Sequence, residues 1–437
     1  MSERILVVED DPSVRTTIVT FLEMEGFEVV AVSNTRDAIE RLGQSAYPLV
    51  ISDIYIDDRT GIDVLMAAKK QNPNCAVILM TARGTMETVM AATRNGAFDY
   101  LAKPFELDTL LESVKRAIDS RQTDDDEVER EELPESEMIG SSAGMVEIYK
   151  TVSRVAPTDA TVIIEGETGT GKELVARMIH RFSNRVTNPF VAVDCGAIPA
   201  ALLESELFGA MKGAFTGADR DRVGVLESAH RGTVFLDEIG EIDTAFQVKL
   251  LRFLQEREIR PVGAAREKKV DVRVIAATNR NLQKMVEEGK FREDLWFRLN
   301  VVRLELPPLR ERRIDVPLLA QFFVDKYNSR YNRGVKLTES GLKALRDFTW
   351  PGNVRQFQHL IERLTILAPN DRIDAESVQD AISAMEPKEG GGETLAETEA
   401  DQIRRVLAAT GGNKSRAAAI LGIERKTLYR KLERMKL

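Results

Sequence analysis

Charged and hydroxyl side chains follow apolar runs of the first hundred residues, where they could bind a cation and a phosphoryl group. Asp10 and Asp11 follow the first run, Asp53 the third, Thr81 the fourth and Lys103 the fifth. Ligands of doubly wound sheets bind beyond the carboxyl ends of the strands, so we expect these side chains to converge. Clustered carboxylates repel each other unless a cation lies between them, and hard oxygen ligands favour Mg²⁺. A phosphoryl group added to Asp53 would then meet Thr81 and Lys103.

A glycine-rich loop of the form G-x-x-x-x-G-K follows the apolar run 161–165 and opens a helical stretch. Its glycines let backbone amides close around phosphates, and the helix N-terminus favours the same negative charge. Lys172 would reach the β- and γ-phosphates of a nucleotide. Glu173 stands where many such loops have Ser or Thr. The predicted nucleotide contacts are Gly166, Glu167, Thr168, Gly169, Thr170, Gly171, Lys172 and Glu173.

A second acidic strand end could supply the chemistry of hydrolysis. The run 233–237 ends in Asp237, Glu238 comes next, and Asn279 follows a later run. Asp237 would bind Mg²⁺ and Glu238 would polarise the attacking water, while Asn279 would lie near the γ-phosphate. Phosphoryl transfer needs positioning and charge neutralisation, so this set predicts ATP hydrolysis. A glycine-rich loop without a catalytic role is the alternative, and the paired acids argue against it.

Three arginines are further candidates for the nucleotide site. Arg292 and Arg298 stand six residues apart in FREDLWFRL, and either could reach the γ-phosphate of a neighbouring subunit. Surface salt bridges are the alternative for both. Arg355, in WPGNVR, could report the nucleotide state from a helical lid.

The segment GAFTGA is hard to explain as part of a core. Two glycines and two alanines around one Phe bury little apolar area. Glycine-rich flanks suit a mobile loop with an exposed aromatic tip. The residues of this predicted loop are Gly213, Ala214, Phe215, Thr216, Gly217 and Ala218.

The charge of the chain is distributed unevenly. Its net charge is −9, which argues against non-specific coating of nucleic acid by the whole chain. Residues 119–137 hold ten acidic side chains against two arginines, whereas residues 401–437 hold ten Lys or Arg against three acids. This asymmetry predicts an acidic linker and a separate nucleic-acid-binding end.

The basic end reads as three short helices around a small core. The second helix begins at the cap Asn413-Lys414-Ser415 and ends before Gly422, and the third runs from Arg425 to Met435. Two helices joined by a short turn that contains glycine suit a helix-turn-helix, with a solvated basic helix as the alternative. The candidates for DNA contact are Arg425, Lys426, Thr427, Arg430 and Lys431.

Alternation of apolar runs and helical patterns defines the elements that must position these sites. It predicts a doubly wound α/β domain over 1–121 and a second α/β P-loop domain over 138–385, with a helical lid at about 307–385. An acidic linker, 122–137, joins them. A flexible linker, 386–399, precedes an all-α domain at 400–437.

Composition indicates a cytoplasmic protein. Cys75 and Cys195 are too few for a disulfide framework, and the start MSERILVVEDD is unlike a signal peptide. No apolar run approaches the length of a membrane span, so we expect no membrane partner.

The first domain resembles the receiver domain of response regulators through VVEDD, ISD, MTA and YLAKPF. The resemblance implies that a sensor histidine kinase leads to phosphorylation of Asp53. It implies that Asp10, Asp11, Asp53 and the backbone carbonyl of Tyr55 hold Mg²⁺, and that Tyr100 is a switch aromatic. The family often has Pro four residues after the acceptor, where this chain has Asp57.

The second domain resembles the sigma-54 activators among the AAA+ ATPases. GETGTGKE, ELFG, GAFTGA, FLDE, FREDL, RLNV, LPPLRER and WPGNVR occur in the order of that family. The resemblance implies ATP and Mg²⁺ as cofactors, a dimer that assembles into a hexamer, and a GAFTGA loop that contacts sigma-54. Two positions depart from the family: Ala210-Met211 replaces His-Glu, and Asp194 stands where Asn is usual. The resemblance implies that this Asn holds the glutamate at the position of Glu238 inactive.

The last domain resembles the Fis-type DNA-binding domain through GGNKSRAAAILGIERKTLYRKL. The three resemblances imply a phosphorylation-controlled activator that binds enhancer DNA and remodels sigma-54 RNA polymerase holoenzyme with ATP. A related regulator that acts without sigma-54 is one alternative, against which GAFTGA argues. A AAA+ remodelling chaperone without a promoter role is another, against which the receiver and the basic C-terminal helix argue.

Overall fold

Five parallel strands alternate with five helices in the first domain, as its apolar runs predict. The computed structural model describes residues 3–57, 60–81, 85–119, 138–214, 220–368 and 371–385, together with eight single positions after residue 400. The strands are β1 (Arg4–Val8), β2 (Glu28–Val32), β3 (Leu49–Asp53), β4 (Ala76–Thr81) and β5 (Asp99–Ala102). The helices are α1 (Pro12–Met24), α2 (Thr35–Gln44), α3 (Gly61–Gln71), α4 (Met86–Arg94) and α5 (Leu107–Asp119).

The strand order β2-β1-β3-β4-β5 places β1, β3 and β4 in the middle of this sheet. Side chains alternate between the faces of each strand, so each face needs its own helical layer. Ile5 and Val7 lie in one buried cluster with residues of α1 and α5, whereas Leu6 and Val8 lie in another with residues of α2, α3 and α4. The carboxyl ends of β1, β3, β4 and β5 therefore meet at one edge.

The second sheet has the order β12-β6-β11-β8-β7 and is also parallel. Its strands are β6 (Val162–Glu165), β7 (Phe190–Asp194), β8 (Thr233–Asp237), β11 (Arg273–Thr278) and β12 (Val302–Glu305), and β9 (Glu258–Ile259) pairs with β10 (Lys268–Lys269) outside it. The helices are α6 (Ala143–Val155), α7 (Lys172–Arg181), α8 (Ala200–Phe208), α9 (Val225–Ser228), α10 (Thr244–Glu256), α11 (Leu282–Glu287) and α12 (Glu293–Leu299).

Four helices form the lid: α13 (Val316–Tyr331), α14 (Glu339–Asp347), α15 (Asn353–Leu367) and α16 (Ala375–Met385). Trp350 is 1% exposed and packs edge-on against Phe348 and Phe357, so it anchors the turn before α15 to the lid core. Truncation of such a buried aromatic residue costs about 3–5 kcal/mol. The purely helical pattern predicted for this region is wrong in one detail, because β13 (Lys336–Leu337) pairs in parallel with β14 (Arg372–Ile373).

The first domain packs against the second through α4 and α6. Val89 and Met90 of α4 belong to the same buried cluster as Val146 and Tyr149 of α6. Lys150 Nζ lies 2.6 Å from a carboxylate oxygen of Asp99, with both side chains largely buried. Burial raises the pKa of Asp99, but its bonds to Lys150 and Ser113 outweigh this, so the pKa is below its ordinary value. The carboxylate is therefore ionised at the contact.

Five described positions after residue 400 share one buried cluster: Ile403, Ala417, Ala418, Leu428 and Leu432. Leu421 is partly buried against it. The sequence predicts a core at Ala418, Ile420, Leu421, Leu428 and Leu432; four of these lie in or against this cluster, and Ile420 lies outside the described residues. Among the helices within the described ranges, none combines the length and apolarity needed to span a bilayer.

Candidate functional sites

The Lys103 ammonium group lies between two carboxylates at the edge of the first sheet. Its Nζ donates to Asp53 Oδ2 at 2.5 Å and to Glu9 Oε2 at 2.6 Å. Burial alone would lower the pKa of Lys103, but the hydrogen bonds to these carboxylates raise it above its ordinary value. Burial raises the pKa of Glu9 despite the bond to Lys103. Asp53 is 7% exposed, so one partly desolvated cation faces the predicted phospho-acceptor.

The acidic set that could hold a cation differs by one residue from the prediction. Carboxylate oxygens of Glu9, Asp10 and Asp53 all lie within 4.8 Å of one another. Asp11 instead caps α1, because its Oδ1 accepts hydrogen bonds from the amides of Ser13 and Val14. The acidic cluster therefore contains Glu9 and not Asp11, and the role of Asp11 as a metal ligand stays a prediction. Three clustered oxygen donors fit Mg²⁺.

Tyr100 points inward, where it can link the phosphorylation site to α4. The residue is 3% exposed, and its hydroxyl lies 3.0 Å from Thr88 Oγ1 on α4. Burial raises the pKa of Tyr100, and hydrogen bonds to Thr88 and Thr81 only partly offset this rise. Thr81 ends β4 beside this ring, as the sequence predicts.

Asp57 and Tyr55 lie in the loop after β3. Asp57, which stands where the family often has Pro, accepts hydrogen bonds through its carboxylate from the amide and hydroxyl of Thr35, both at 3.0 Å. Thr35 begins α2, so the charge lies at a helix N-terminus, where it is stabilised. The Tyr55 amide donates to Asp53 Oδ1 at 3.1 Å. The role of the Tyr55 carbonyl in metal binding stays a prediction.

The P-loop connects β6 to α7 and closes over the Lys172 side chain. Gly169 and Gly171 have φ of +81° and +107°, a region that favours glycine. Lys172 Nζ donates to the carbonyl oxygens of Gly166 at 2.8 Å and Glu167 at 3.2 Å. Burial lowers the pKa of Lys172, although the charges of Asp237 and Glu238 act in the opposite direction.

Asp237 ends β8 and Glu238 follows it, as the sequence predicts. Burial raises the pKa of Asp237, and the nearby charge of Asp194 contributes to the rise. Glu238 has a φ of +53°, and its amide donates to Asp237 Oδ1 at 2.9 Å. Such a backbone conformation is uncommon for a residue other than glycine.

Asp194 lies opposite Asp237 in the β7–β8 register. Its Oδ1 accepts hydrogen bonds from the amides of Gly196 at 2.9 Å and Ala197 at 3.0 Å. The Glu238 carboxylate lies directly over Gly196, where an added Cβ would be 2.5 Å from Oε2. The Asp194 carboxylate is therefore engaged by its own turn, and Gly196 leaves room for Glu238.

Asn279 contacts the P-loop, whereas Arg292 and Arg298 contact other parts of the domain. Asn279 Nδ2 donates to Thr168 Oγ1 at 3.1 Å, which joins β11 to the P-loop. Arg292 forms an exposed pair with Asp294, and Arg298 donates to the Leu254 carbonyl at 3.2 Å. The action of Arg292 or Arg298 on a neighbouring subunit stays a prediction.

Arg355 contacts the P-loop through its backbone amide, which donates to the Gly169 carbonyl at 3.2 Å. Its side-chain charge contributes to the lowered pKa of Lys172. Sequence reasoning did not select three other lid residues that contact the P-loop: Arg310, Arg312 and Asn353. In the sequence, these three residues stand out only as members of the motifs LPPLRER and WPGNVR.

Only the base of the GAFTGA loop is described. Gly213 has a φ of +81°, and Ala214 lies against Gly263 beside the β9–β10 pair. Ala210, at one of the departures from the family, is 3% exposed and bonds to the backbone of Arg222. The predicted contact residues Phe215 to Ala218 lie outside the described residues, as do Arg425, Lys426, Arg430 and Lys431. Thr427 is described and partly buried.

Four family models match successive parts of the chain. They are the response regulator receiver domain at residues 5–115, the sigma-54 interaction domain at 138–305, the AAA+ ATPase lid domain at 310–394 and the bacterial regulatory protein, Fis family, at 394–435.

Known proteins match over nearly the whole chain. The transcriptional regulatory protein ZraR of Salmonella typhimurium is 43% identical over 98% of both chains. The DNA-binding transcriptional regulator NtrC of Rhizobium meliloti is 37% identical, over 99% of this chain and 97% of its own. A crystal structure of NtrX from Brucella abortus in complex with ATP is 34% identical and covers 100% of both chains with a TM-score of 0.56.

These matches confirm the predicted fold classes and their order along the chain. The receiver domain is a doubly wound α/β fold, and the central domain is an α/β P-loop fold with a helical lid. The C-terminal part matches a DNA-binding module. The chain belongs to the NtrC-type family of sigma-54 response regulators.

Proposed function

We propose that the chain is a phosphorylation-controlled transcription activator that hydrolyses ATP to remodel sigma-54 RNA polymerase at promoters. The observation that carries this proposal is the joint placement of Lys172, Asp237 and Glu238 in a domain that matches the sigma-54 interaction model. Lys172 is close enough to both acids for their charges to affect its pKa. A cation for phosphates and two carboxylates for metal and water are the groups that phosphoryl transfer requires.

Each residue of the ATPase site has a separate task in this proposal. Lys172 and the P-loop amides bind the β- and γ-phosphates, Asp237 holds Mg²⁺, and Glu238 orients the attacking water. Bound Mg²⁺ supplies neutralisation of the phosphate charge. Asn279 lies beside the P-loop and would contact the γ-phosphate, while Arg298 or Arg292 would reach the site from the next subunit of a hexamer.

The receiver would control assembly of this ring from dimers. A sensor histidine kinase supplies the phosphoryl group for Asp53, and Lys103 and Thr81 bind it. Tyr100 contacts Thr88 on α4, and α4 packs on α6 of the ATPase domain. This chain of contacts supports a route by which a change at Asp53 alters the ATPase domain.

Two separate domains of the activator would bind different partners. The C-terminal helices bind enhancer DNA, and the GAFTGA loop contacts sigma-54 in the cytoplasm. Hydrolysis then moves that loop and remodels the polymerase, which opens the promoter.

Reconstituted transcription tests the proposal. Purified chain, activated with acetyl phosphate or beryllofluoride, is mixed with ATP, polymerase and a promoter that carries an upstream binding site. We expect permanganate-reactive open complexes with sigma-54 holoenzyme and ATP, and none when ADP replaces ATP. Open complexes that form equally with ADP would contradict the role of hydrolysis. An ATPase-active chain that never opens the sigma-54 promoter would contradict the choice of partner.

A further inference from the structure

Three consecutive carbonyl groups of the P-loop accept hydrogen bonds from the lid region. Asn353 Nδ2 donates to the Thr168 oxygen at 3.1 Å, and the Arg355 amide donates to the Gly169 oxygen at 3.2 Å. Arg312, which is 3% exposed, donates to the Thr170 oxygen at 3.0 Å. The loop that binds phosphate is thus held from the lid along half its length.

Glu167 adds a charged contact to the same interface. Its two carboxylate oxygens accept from the Arg310 guanidinium at 2.7 and 2.8 Å, and Oε2 also accepts from Asn353 Nδ2 at 3.1 Å. The bonds to Arg310 and Asn353 lower the pKa of Glu167 to about 2. We name Arg310, Arg312, Asn353 and the Arg355 amide the lid clamp.

The lid clamp is firmly attached to the lid itself. Asn353 is fully buried, and its Oδ1 accepts a hydrogen bond from the Leu309 amide at 2.8 Å. Trp350 Nε1 donates to the Leu345 carbonyl at 2.8 Å, which fixes the turn before Asn353. At Gly169 an added Cβ would be 2.4 Å from the Gly352 oxygen, so the two backbones touch. A rotation of the lid must therefore move or break these contacts.

Peptide geometry gives the contacts a consequence for phosphate binding. In a trans peptide the carbonyl and the next amide N–H lie in one plane and point in opposite directions. A lid that holds the carbonyls of Thr168, Gly169 and Thr170 therefore directs the amides of Gly169, Thr170 and Gly171 the other way. The Thr170 amide donates to the Glu167 carbonyl at 3.3 Å, so the amides of Gly169 and Gly171 are the ones that the lid would direct to phosphate. The P-loop binds phosphate through such amides.

We propose that the lid clamp orients the P-loop amides for phosphate, and that Glu167 is a positioning residue that couples lid position to nucleotide affinity. The proposal rests on the nucleotide binding proposed above. When the lid rotates away, the P-loop peptide groups lose their fixed orientation. The P-loop then adopts its phosphate-binding conformation only part of the time. The apparent dissociation constant rises in proportion to that loss.

Nucleotide binding by the full-length chain tests the proposal. The probe is N-methylanthraniloyl-ADP with Mg²⁺, titrated against wild type, Glu167→Gln, Arg310→Gln and the double variant. Each single variant should raise the dissociation constant about tenfold, because the two-bond ion pair between Arg310 and Glu167 is lost. Arg303→Gln is the matched control, since Arg303 lies on β12 and pairs with Glu165 and Glu305. It should bind within about twofold of wild type.

Two further readouts separate positioning from a general loss of structure. The double variant should bind about as weakly as either single variant, because both changes remove one contact. In ATP hydrolysis by Arg310→Gln, KM should rise more than kcat falls.

Unchanged affinity in both single variants would overturn the proposal, as would fully additive effects or an equal loss in Arg303→Gln. If the wild type itself fails to bind the probe, the proposed ATPase function fails instead.

Discussion

Lys103 Nζ lies 2.5 Å from Oδ2 of Asp53 across the carboxyl edge of the receiver sheet. The strands that carry these residues are separated by β4, so the long lysine side chain spans a neighbouring strand. A phosphoryl group formed on Asp53 would add negative charge beside an existing cation, where charge-assisted hydrogen bonds are strong. The acceptor site is therefore arranged for the charged product.

Phosphorylation should require Asp53 and Asp10 but not Asp11. With acetyl phosphate and Mg²⁺, we expect Asp53→Asn to abolish labelling and Asp10→Asn to lower its rate about tenfold or more, because a metal ligand is lost. Asp11→Asn should label like wild type, since Asn also caps a helix and the Asp11 carboxylate bonds to the α1 amides. Intact-protein mass spectrometry over time gives the rates.

As a control, circular dichroism should show that all three variants fold like the wild type. If Asp11→Asn labels as poorly as Asp10→Asn, the assignment of Glu9, Asp10 and Asp53 as the acidic set is wrong. Labelling that survives in Asp53→Asn would place the phosphoryl group elsewhere.

The position of Asp11 as the cap of α1 shows a limit of reading the sequence. Three acids in a row follow β1, and composition alone does not tell which of them face the sheet edge. Asp11 precedes Pro12, and Pro at the first helical position marks the preceding residue as a cap. That local signal, weighed against the three-acid run, would have selected Glu9 and Asp10.

Glu238→Ala should retain ATP binding and lose hydrolysis by about a hundredfold or more, because the residue orients water and makes no predicted phosphate contact. Lys172→Ala should instead weaken binding itself, since Lys172 neutralises phosphate charge. Equilibrium binding of labelled ATP and phosphate release are measured on each preparation. Normal turnover in Glu238→Ala would remove Glu238 from the mechanism.

DNA binding should depend on the basic residues of the third helix predicted for the C-terminal domain. Arg425→Ala and Arg430→Ala should each reduce the slope of log affinity against log salt by about one if the arginine contacts a phosphate. An arginine that reads a base should instead lose about 1–3 kcal/mol on the specific site only. Gel-shift titrations at several salt concentrations distinguish these outcomes. Unaltered binding in the double variant would place the DNA site elsewhere.

Acid should destabilise the ATPase domain through His180. The residue is 8% exposed, its Nδ1 lies 2.9 Å from Thr233 Oγ1, and burial holds its pKa below the ordinary 6.5. The unfolded chain therefore takes up the proton first. This contribution to stability is complete above pH 6.5 and falls as pH drops from 6.5 to the folded pKa, by at most about 1.4 kcal/mol per pH unit.

Tryptophan fluorescence reports on unfolding of the ATPase domain and its lid, since the only tryptophans of the chain are Trp296 and Trp350. Urea unfolding of wild type and His180→Gln is compared between pH 5 and 8. The variant should be less stable at pH 8 and should show a shallower decline below pH 6.5. Parallel pH profiles would show that His180 does not titrate as its burial implies.

Long-range contacts account for most of what sequence reasoning missed. The apolar run predicted at 233–237 coincides with β8, because buried parallel strands are continuous apolar runs. The pairs Glu167–Arg310 and Asp99–Lys150 join separate domains or subdomains, and no local periodicity encodes them. Each needed the packed structure to bring its partners together.

The most direct measurement of the central claim compares ATP hydrolysis with promoter opening in Thr216→Ala. Thr216 belongs to the loop predicted to contact sigma-54 and supplies no phosphate ligand, so its side chain should matter for remodelling and not for chemistry. Both activities are measured on one activated preparation, with Thr216→Ser as the control that keeps the hydroxyl. We predict that Thr216→Ala hydrolyses ATP within about threefold of wild type and forms no open complexes with sigma-54 holoenzyme. Open complexes at the wild-type level, or loss of both activities together, would contradict the proposed division between the ATPase site and the sigma-54 loop.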